Sequence, residues 1–283
     1  MNQLLKIAAV QCDVAIGRPD ANLEAMAGLA SEAAAQGAQL VVFPECVVTG
    51  YCFDSVAEAR AFAEPVPGPA TQRLYEVCSK LGLYIVAGLL ERDGERLYNA
   101  CVLVGPGGLV GSYRKLHLPY LGVDRFATPG DRPPSVWEIA TAAGPLRLGM
   151  NICYDASFPE SARVMALAGA DLVVLPTNWP PGAQCTAEHV LNTRALENHI
   201  YYLAANRVGH ERGFTFIGRS RICDPHGGTL QAAGTEPCTL CAEIDPQLAR
   251  NKHIVRVPGK HEIHRFRDRR PEMYGLIVQP RQE

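Results

Sequence analysis

Short apolar, β-branched runs alternate along this chain with longer stretches in which alanine and leucine recur at helical spacing. In the first half, Ile7–Cys12, Gln39–Phe43, Tyr84–Leu90, Leu97–Val104 and Leu109–Tyr113 read as strands, and Ala21–Gln36 and Ala70–Leu81 as helices. In the second half, strands are predicted near Val136–Ile139 and at Leu146–Ile152, Asp171–Leu175, Tyr201–Asn206, Gly218–Cys223, Thr229–Gln231 and Thr239–Ile244. Helices are predicted at Glu160–Ala168 and Thr186–Asn198. The alternation predicts an α/β fold whose helices cover sheet faces. With no repeat and no linker in view, one domain over residues 1–283 is expected. Leu116–Pro134 has little periodic structure, and loops of that length in compact domains are usually functional or disordered. Residues 258–283 are the least patterned and are expected to pack on the core or on a partner subunit.

Composition narrows the class. A content of 47% hydrophobic and 20% charged residues over 283 positions is that of a globular protein with room for a large core. The 27 basic and 29 acidic residues nearly cancel, so neither nucleic acid nor an anionic membrane is expected as partner. Lys260–Arg270 does hold five basic residues, but Glu262 and Asp268 dilute them, and a solvated or intersubunit segment is the expectation. No apolar run reaches the roughly 18 to 20 residues that span a bilayer. Leu4–Val10 is short and carries Lys6, which suits a buried first strand better than a signal peptide. The ten cysteines are dispersed and mostly lie in apolar segments, as expected of reduced thiols in a cytoplasm. Cys238 and Cys241 form a C-x-x-C pair, but a zinc site needs a second pair of ligands. No metal and no cofactor is expected.

Three charged or nucleophilic residues stand where apolar strands end. Glu45 follows Leu-Val-Val-Phe-Pro, Lys115 follows Val-Gly-Ser-Tyr-Arg, and Cys153 follows Leu-Gly-Met-Asn-Ile. Loops at the carboxyl ends of strands present side chains over a rigid frame, so a carboxylate, an ammonium and a thiol so placed can share one pocket. Each alone reads more simply, as a solvated turn residue or a small core thiol. The surrounding words decide between these readings. Phe43-Pro-Glu-Cys-Val-Val-Thr-Gly-Tyr51, Tyr113-Arg-Lys-Leu-His-Leu118 and Asn151-Ile-Cys-Tyr-Asp-Ala-Ser-Phe-Pro-Glu160 occur in that order. They closely resemble the three catalytic motifs of the nitrilase superfamily, the carbon–nitrogen hydrolases. Gly169-Ala-Asp-Leu-Val-Val-Leu-Pro-Thr-Asn-Trp179, Thr193–Asn198, Ala205–Gly209 and Gly218–Gly227 resemble later landmarks of that family, so the resemblance runs from about residue 5 to 245.

The resemblance implies an α-β-β-α sandwich of two central β-sheets flanked by helices, and a Glu–Lys–Cys triad at Glu45, Lys115 and Cys153. A free thiol, with a pKa near 8.5, is only a few per cent thiolate at neutral pH, so a carboxylate within reach that takes its proton is a real gain. Glu45 is therefore read as general base, Cys153 as nucleophile, and Lys115 with the backbone N–H of Tyr154 as stabilisers of the oxyanion. Many amidase-type relatives carry a second Glu in the loop after the Lys motif. Here that loop, His117–Gly130, has none, and Asp124 is the candidate substitute unless it merely pairs with Arg125 or Arg114. Tyr51, Asn178 and Trp179 are candidate substrate-pocket walls, with Trp179 equally readable as a core aromatic; Arg194 and Glu197 read as a structural ion pair. Tyr154-Asp155 after the nucleophile, where nitrile hydrolysers usually carry Trp-Glu, favours a small-molecule amidase. An N-carbamoyl hydrolase is the alternative, and a nitrilase or a non-catalytic binding protein more remote ones. The expected partners are an amide or carbamoyl substrate and further copies of the chain, as a homodimer or higher assembly. Rival motifs fail: no G-x-S-x-G elbow is present, Gly213–Arg219 lacks a Lys-Ser/Thr for phosphate, and His261-Glu-Ile-His264 is not H-E-x-x-H.

Overall fold

The computed structural model describes residues 4–280. Its first half runs β1 (Leu5–Gln11), α1 (Pro19–Ala35), β2 (Leu40–Val42), α2 (Val56–Phe62), α3 (Pro69–Leu81), β3 (Tyr84–Asp93), β4 (Arg96–Gly105) and β5 (Gly108–Arg114). Then come β6 (Val136–Thr141), β7 (Gly144–Met150), α4 (Pro159–Leu167), β8 (Leu172–Thr177), α5 (Leu191–Asn198) and β9 (Tyr201–Asn206). A hairpin of β10 (His210–Glu211) and β11 (Phe214–Thr215) precedes β12 (Arg221–Cys223), β13 (Thr229–Ala232) and β14 (Cys238–Ile244). The chain closes with α6 (Pro246–Arg250) and a second hairpin, β15 (His253–Val257) and β16 (His261–His264).

Two six-stranded sheets result, in the orders β14-β1-β2-β3-β4-β5 and β13-β12-β9-β8-β7-β6. Their central strands, β1 and β2 in one sheet and β8 and β9 in the other, are apolar on both faces because both faces are covered. On β1, Leu5, Ile7 and Ala9 join the core between the sheets, while Ala8 and Val10 meet Leu23, Met26 and Ala30 of α1 and Leu74 and Cys78 of α3. On the other sheet, Leu148 and Met150 of β7 sit in register with Leu172 and Val174 of β8 and share their facing, since side chains alternate along a strand. Gly149 turns the other way, where a Cβ would meet the sulfur of Met165 on α4. The layers are thus helix, sheet, sheet, helix, the architecture that the motifs imply.

Several elements differ from the sequence reading. The helix predicted over Thr186–Asn198 is a π-helical turn at Thr186–Val190 followed by α5. Helix α2 has only seven residues, too few for its period to show, and the Ser55 side chain caps it by accepting from the Glu58 N–H. Inside the aperiodic Leu116–Pro134 segment lies a 3₁₀ turn, Gly122–Arg125, with Val123 and Asp124 buried. The tail carries the β15–β16 hairpin and packs Phe266 on the main core, while Met273, Leu276 and Val278 stand exposed. Cys238 and Cys241 are three apart on β14 and so face opposite ways. Among the described residues no helix is long and apolar enough to cross a membrane.

Candidate active site

Topology gathers the three strand-end residues. Strands β2 and β3 are parallel, and β5 returns through antiparallel β4 to their direction, so Glu45 after β2 and Lys115 after β5 emerge at one end of the first sheet. The start of β4 lies at that same end and brings Asn99 beside them. Close approach is built in at Gly88 of β3, where a Cβ would stand 2.3 Å from the Cys46 nitrogen and 2.7 Å from the Glu45 Cα. Only a glycine lets the Glu45–Cys46 backbone lie flat on the strand.

Within the pocket, Lys115 Nζ donates to Glu45 Oε1 at 2.7 Å and to Asp124 Oδ2 at 2.5 Å. Asn99 Nδ2 bridges the same two carboxylates, to Glu45 Oε1 at 2.7 Å and Asp124 Oδ1 at 2.8 Å. Tyr51 adds its O–H to Asp124 Oδ2 at 2.8 Å. All five side chains are buried. Asp124 does not pair with either nearby arginine. Arg125 donates to the carbonyls of Gly122 and Phe53, and Arg114 is held by Glu91, Asp93 and Asp131. The 3₁₀ turn that carries Asp124 rests on Tyr51 through Gly122, whose φ is +50° and whose missing Cβ would fall 2.3 Å from the ring.

Cys153 opens a 3₁₀ turn, Cys153–Ser157, directly after β7 and carries a left-handed φ of +46°. A non-glycine residue is held there only when its surroundings over-determine it. Asp155 supplies that constraint: its carboxylate accepts the Ile152 N–H at 2.9 Å, the Tyr113 O–H at 2.8 Å and the His117 N–H at 3.1 Å. Because Tyr113 and His117 flank Lys115, one buried carboxylate ties the thiol-bearing turn to the lysine strand. Arg194 holds the turn from the other side, donating to the Ala156 carbonyl at 3.1 Å while pairing with Glu197, so the ion pair read from sequence also braces the turn.

The electrostatics follow from burial and from one another. Burial pushes the Cys153 thiol up to about 12, with the Glu45 charge acting in the same sense; Lys115, the Thr177 hydroxyl and the Asn178 N–H pull against it. The sulfur is therefore a neutral thiol that needs a base. Burial also raises Glu45, against the pull of Lys115 and Asn99. Lys115 would be lowered by burial, but Asp124 and Glu45 more than reverse this, and the ammonium stays charged well above its usual range. Around the thiol, Glu45 Oε2, Thr177 Oγ1 and Asn178 Oδ1 are buried polar atoms with no hydrogen-bond partner among the described residues. Unsatisfied buried atoms are rare and costly, and a cluster of them marks a place made to be filled.

Sequence-predicted residues therefore do meet. Glu45, Lys115, Asp124 and Tyr51 form one hydrogen-bonded group, and Glu45 and Lys115 are the charges acting most strongly on Cys153. Tyr154 follows Cys153 with its ring half-exposed, edge-on to Phe158. Asn178 donates from Nδ2 to the Glu45 carbonyl at 3.0 Å. Trp179 is buried among core side chains, and its backbone N–H donates to Asn206 Oδ1. Two contributors escaped the sequence reading. Asn99 left a signal, a polar residue inside the apolar run Leu97–Val104. Glu211 left none; its carboxylate accepts the Tyr51 and Cys52 N–H groups at 2.9 and 2.6 Å and is held by buried Arg207.

A two-sheet sandwich with carboxylate, ammonium and thiol gathered at strand ends fits a carbon–nitrogen hydrolase, and the chain belongs to the carbon–nitrogen hydrolase family, whose sequence profile matches residues 6–253. It is 43% identical to a nitrilase from Pyrococcus abyssi over 96% of this chain and 99% of the relative. The omega-amidase of Homo sapiens is 30% identical, covering 96% and 97% of the two chains. Among solved structures, an amidase from Nesterenkonia sp. superposes with a TM-score of 0.79 at 29% identity over 98% of both chains. A glutamine-for-glutamate mutant of that amidase shows the acetamide moiety of fluoroacetamide added covalently at the active-site cysteine; it superposes with a TM-score of 0.78 at 27% identity over 97% of both chains.

Proposed function

We propose that this hydrolase cleaves small carboxamides through a thioester on Cys153, with Glu45 as general base and acid and Lys115 as oxyanion stabiliser. The observation that carries the reading is the free oxygen of Glu45. Oε1 is bound by Lys115 and Asn99, whereas Oε2 is buried with no partner among the described residues, and Glu45 is the charge acting most strongly on the neutral Cys153 thiol. As Sγ attacks the amide carbon, its proton moves to Glu45 Oε2. The carbonyl oxygen becomes an oxyanion and takes the third N–H of Lys115, whose other two are spent on carboxylates, together with the Tyr154 N–H. Glu45 then protonates the leaving nitrogen, ammonia departs, and the thioester remains. Water attacks that thioester with Glu45 again as base, the acid leaves, and the proton returns to sulfur. Asp124 holds Lys115 in place where amidase-type relatives use a glutamate. Asn178 Oδ1 accepts an N–H of the bound amide, Tyr51 closes the floor of the pocket, and Trp179 backs the wall.

The test is ammonia and amine release across primary carboxamides, N-carbamoyl compounds and nitriles. Primary carboxamides are expected to turn over with the highest kcat/KM; release from none of the three classes contradicts the proposal. A nitrile substrate is the second reading, favoured by the 43% identical relative described as a nitrilase. It prevails if nitriles exceed amides in that panel.

We also propose that the chain works as a homodimer. Val164 and Leu167 of α4, Leu196 of α5 and Leu276 to Val278 of the tail are exposed, and Tyr274 and Ile277 share a cleft with Arg163 and Glu197 of those helices. Apolar surface so gathered on a globular protein marks an interaction face. Sedimentation equilibrium is expected to give twice the chain mass, and Leu167→Glu with Leu196→Glu to give the monomer. A wild-type monomer at micromolar concentration contradicts this.

A further inference from the structure

Asn99 takes no part in the steps above, yet it makes the same pair of contacts as the lysine. Its amide spends one N–H on each carboxylate, Glu45 Oε1 at 2.7 Å and Asp124 Oδ1 at 2.8 Å, and its Oδ1 accepts from the Cys46 thiol at 3.5 Å. Lys115 and Asn99 thus close a ring with Glu45 and Asp124. Both donors fall on one oxygen of Glu45, and the other is left with none. An oxygen that accepts two short hydrogen bonds from buried donors is a poor base; the bare one is the stronger. Lys115 by itself would leave the carboxylate free to turn about its last bond and to repel Asp124 across the pocket. A second donor on the opposite side removes that freedom.

We propose that Asn99 is a positioning residue of the hydrolase, which fixes the face Glu45 presents to Cys153 by bridging it to Asp124. The proposal rests on the reading of Glu45 as base. Asn99 is suited to the task because it is neutral. A lysine or arginine there would add charge beside the thiol, and an aspartate would add a third acid to a buried site that already holds two against one ammonium. The position is also fixed by the backbone, since Lys115 donates its N–H to the Asn99 carbonyl at 2.8 Å, so the two donors move as one unit.

A consequence for pH follows. The groups facing Glu45 are Lys115 and Asp124 from the loop side, Cys153 from the second sheet, and Cys46, Tyr51 and Cys101 from its own sheet. Of these, only Lys115 carries a positive charge, and Asn99 is the other donor that favours the ionised carboxylate. Without Asn99, Glu45 holds its proton to higher pH, and the acid limb of kcat/KM moves upward.

The test compares Asn99→Leu, which keeps the branched outline, is somewhat larger and removes both donors, with Asn99→Ser, which leaves space for water and is the milder change, beside Glu45→Gln. Circular dichroism and melting identify the folded variants, and Asn99→Ser decides if Asn99→Leu does not fold. Expected are a fall in kcat of roughly 100-fold, the order that a positioned general base contributes, and little change in KM. An acid limb displaced to higher pH is expected with it. A folded Asn99 variant with wild-type kcat and an unmoved acid limb, while Glu45→Gln is inactive, overturns the proposal. An active Glu45→Gln overturns instead the assignment of the base.

Discussion

Cys153→Ala is expected to abolish turnover of every carboxamide, nitrile and N-carbamoyl compound that the wild-type enzyme hydrolyses, by a factor on the order of 10⁶, the scale seen when a nucleophile is removed from a cooperating set. The fold should survive, because the sulfur is only one member of a buried turn that Asp155 and Arg194 hold through other residues. Loss of a buried Sγ costs about 1 to 2 kcal/mol of packing, and the variant relieves none of the backbone strain at its φ of +46°. Steady-state ammonia release together with a melting curve checks both halves. A folded variant with measurable kcat would move the nucleophile elsewhere, and Cys46, whose buried thiol donates to Asn99 in the same group, would be the first alternative to test.

Lys115→Met has the second largest effect and reaches stability as well as rate. Removal of an oxyanion donor costs on the order of 3 kcal/mol of barrier. The same change leaves Glu45 and Asp124 facing each other with only Asn99 between them, and breaking a buried ionic group in this way costs about 3 to 5 kcal/mol. The pH dependence has a definite sign. Glu45 already lies above the ordinary carboxylate value in the native protein, and without the ammonium it lies higher still. Between the unfolded value, about 4.3, and the native one, the folded state keeps a proton that the unfolded chain has released. Stability contributed by that proton is complete below the unfolded value and is lost as pH rises through the native one. Melting of Lys115→Met should therefore fall as pH rises above the unfolded carboxylate value of about 4.3, by up to about 1.4 kcal/mol per unit, more steeply than the wild type. Equal melting profiles would show that the lysine does not neutralise the pair.

Much of this site was legible before any coordinates. Glu45, Lys115 and Cys153 each stand at a strand end, but each alone reads as a turn residue or a core thiol, and the motif words around them carry the assignment. The order of apolar runs pointed to an α/β fold, and the two-sheet architecture was implied by the family resemblance alone. What the sequence withheld is long-range. Asn99 is a visible oddity within β4, but its partner Glu45 lies 54 residues away, and no local pattern reports that distance. Asp124 stood between two readings, a catalytic-site acid or a mate for Arg125 or Arg114, and only the turn at Gly122 decides where its carboxylate points. Trp179 follows a strand as a pocket residue or a core residue would, and packing places it in the core. The π-helical turn before α5 shares the apolar spacing of a helix and differs by one residue per turn, too little to read from composition.

The central claim is that the thiol of Cys153 becomes acylated by an amide carbon, and intact-protein mass spectrometry of quenched reactions reads that event directly. In wild-type enzyme quenched during turnover of a primary carboxamide, and in Glu45→Gln incubated with an activated ester of the same acid, the mass should rise by one acyl group. Peptide mapping should place it on the fragment bearing Cys153, and Cys153→Ala should show no increment. An acyl group found on another cysteine, or turnover with no acylated species in the wild type and in every slowed variant, would contradict the account.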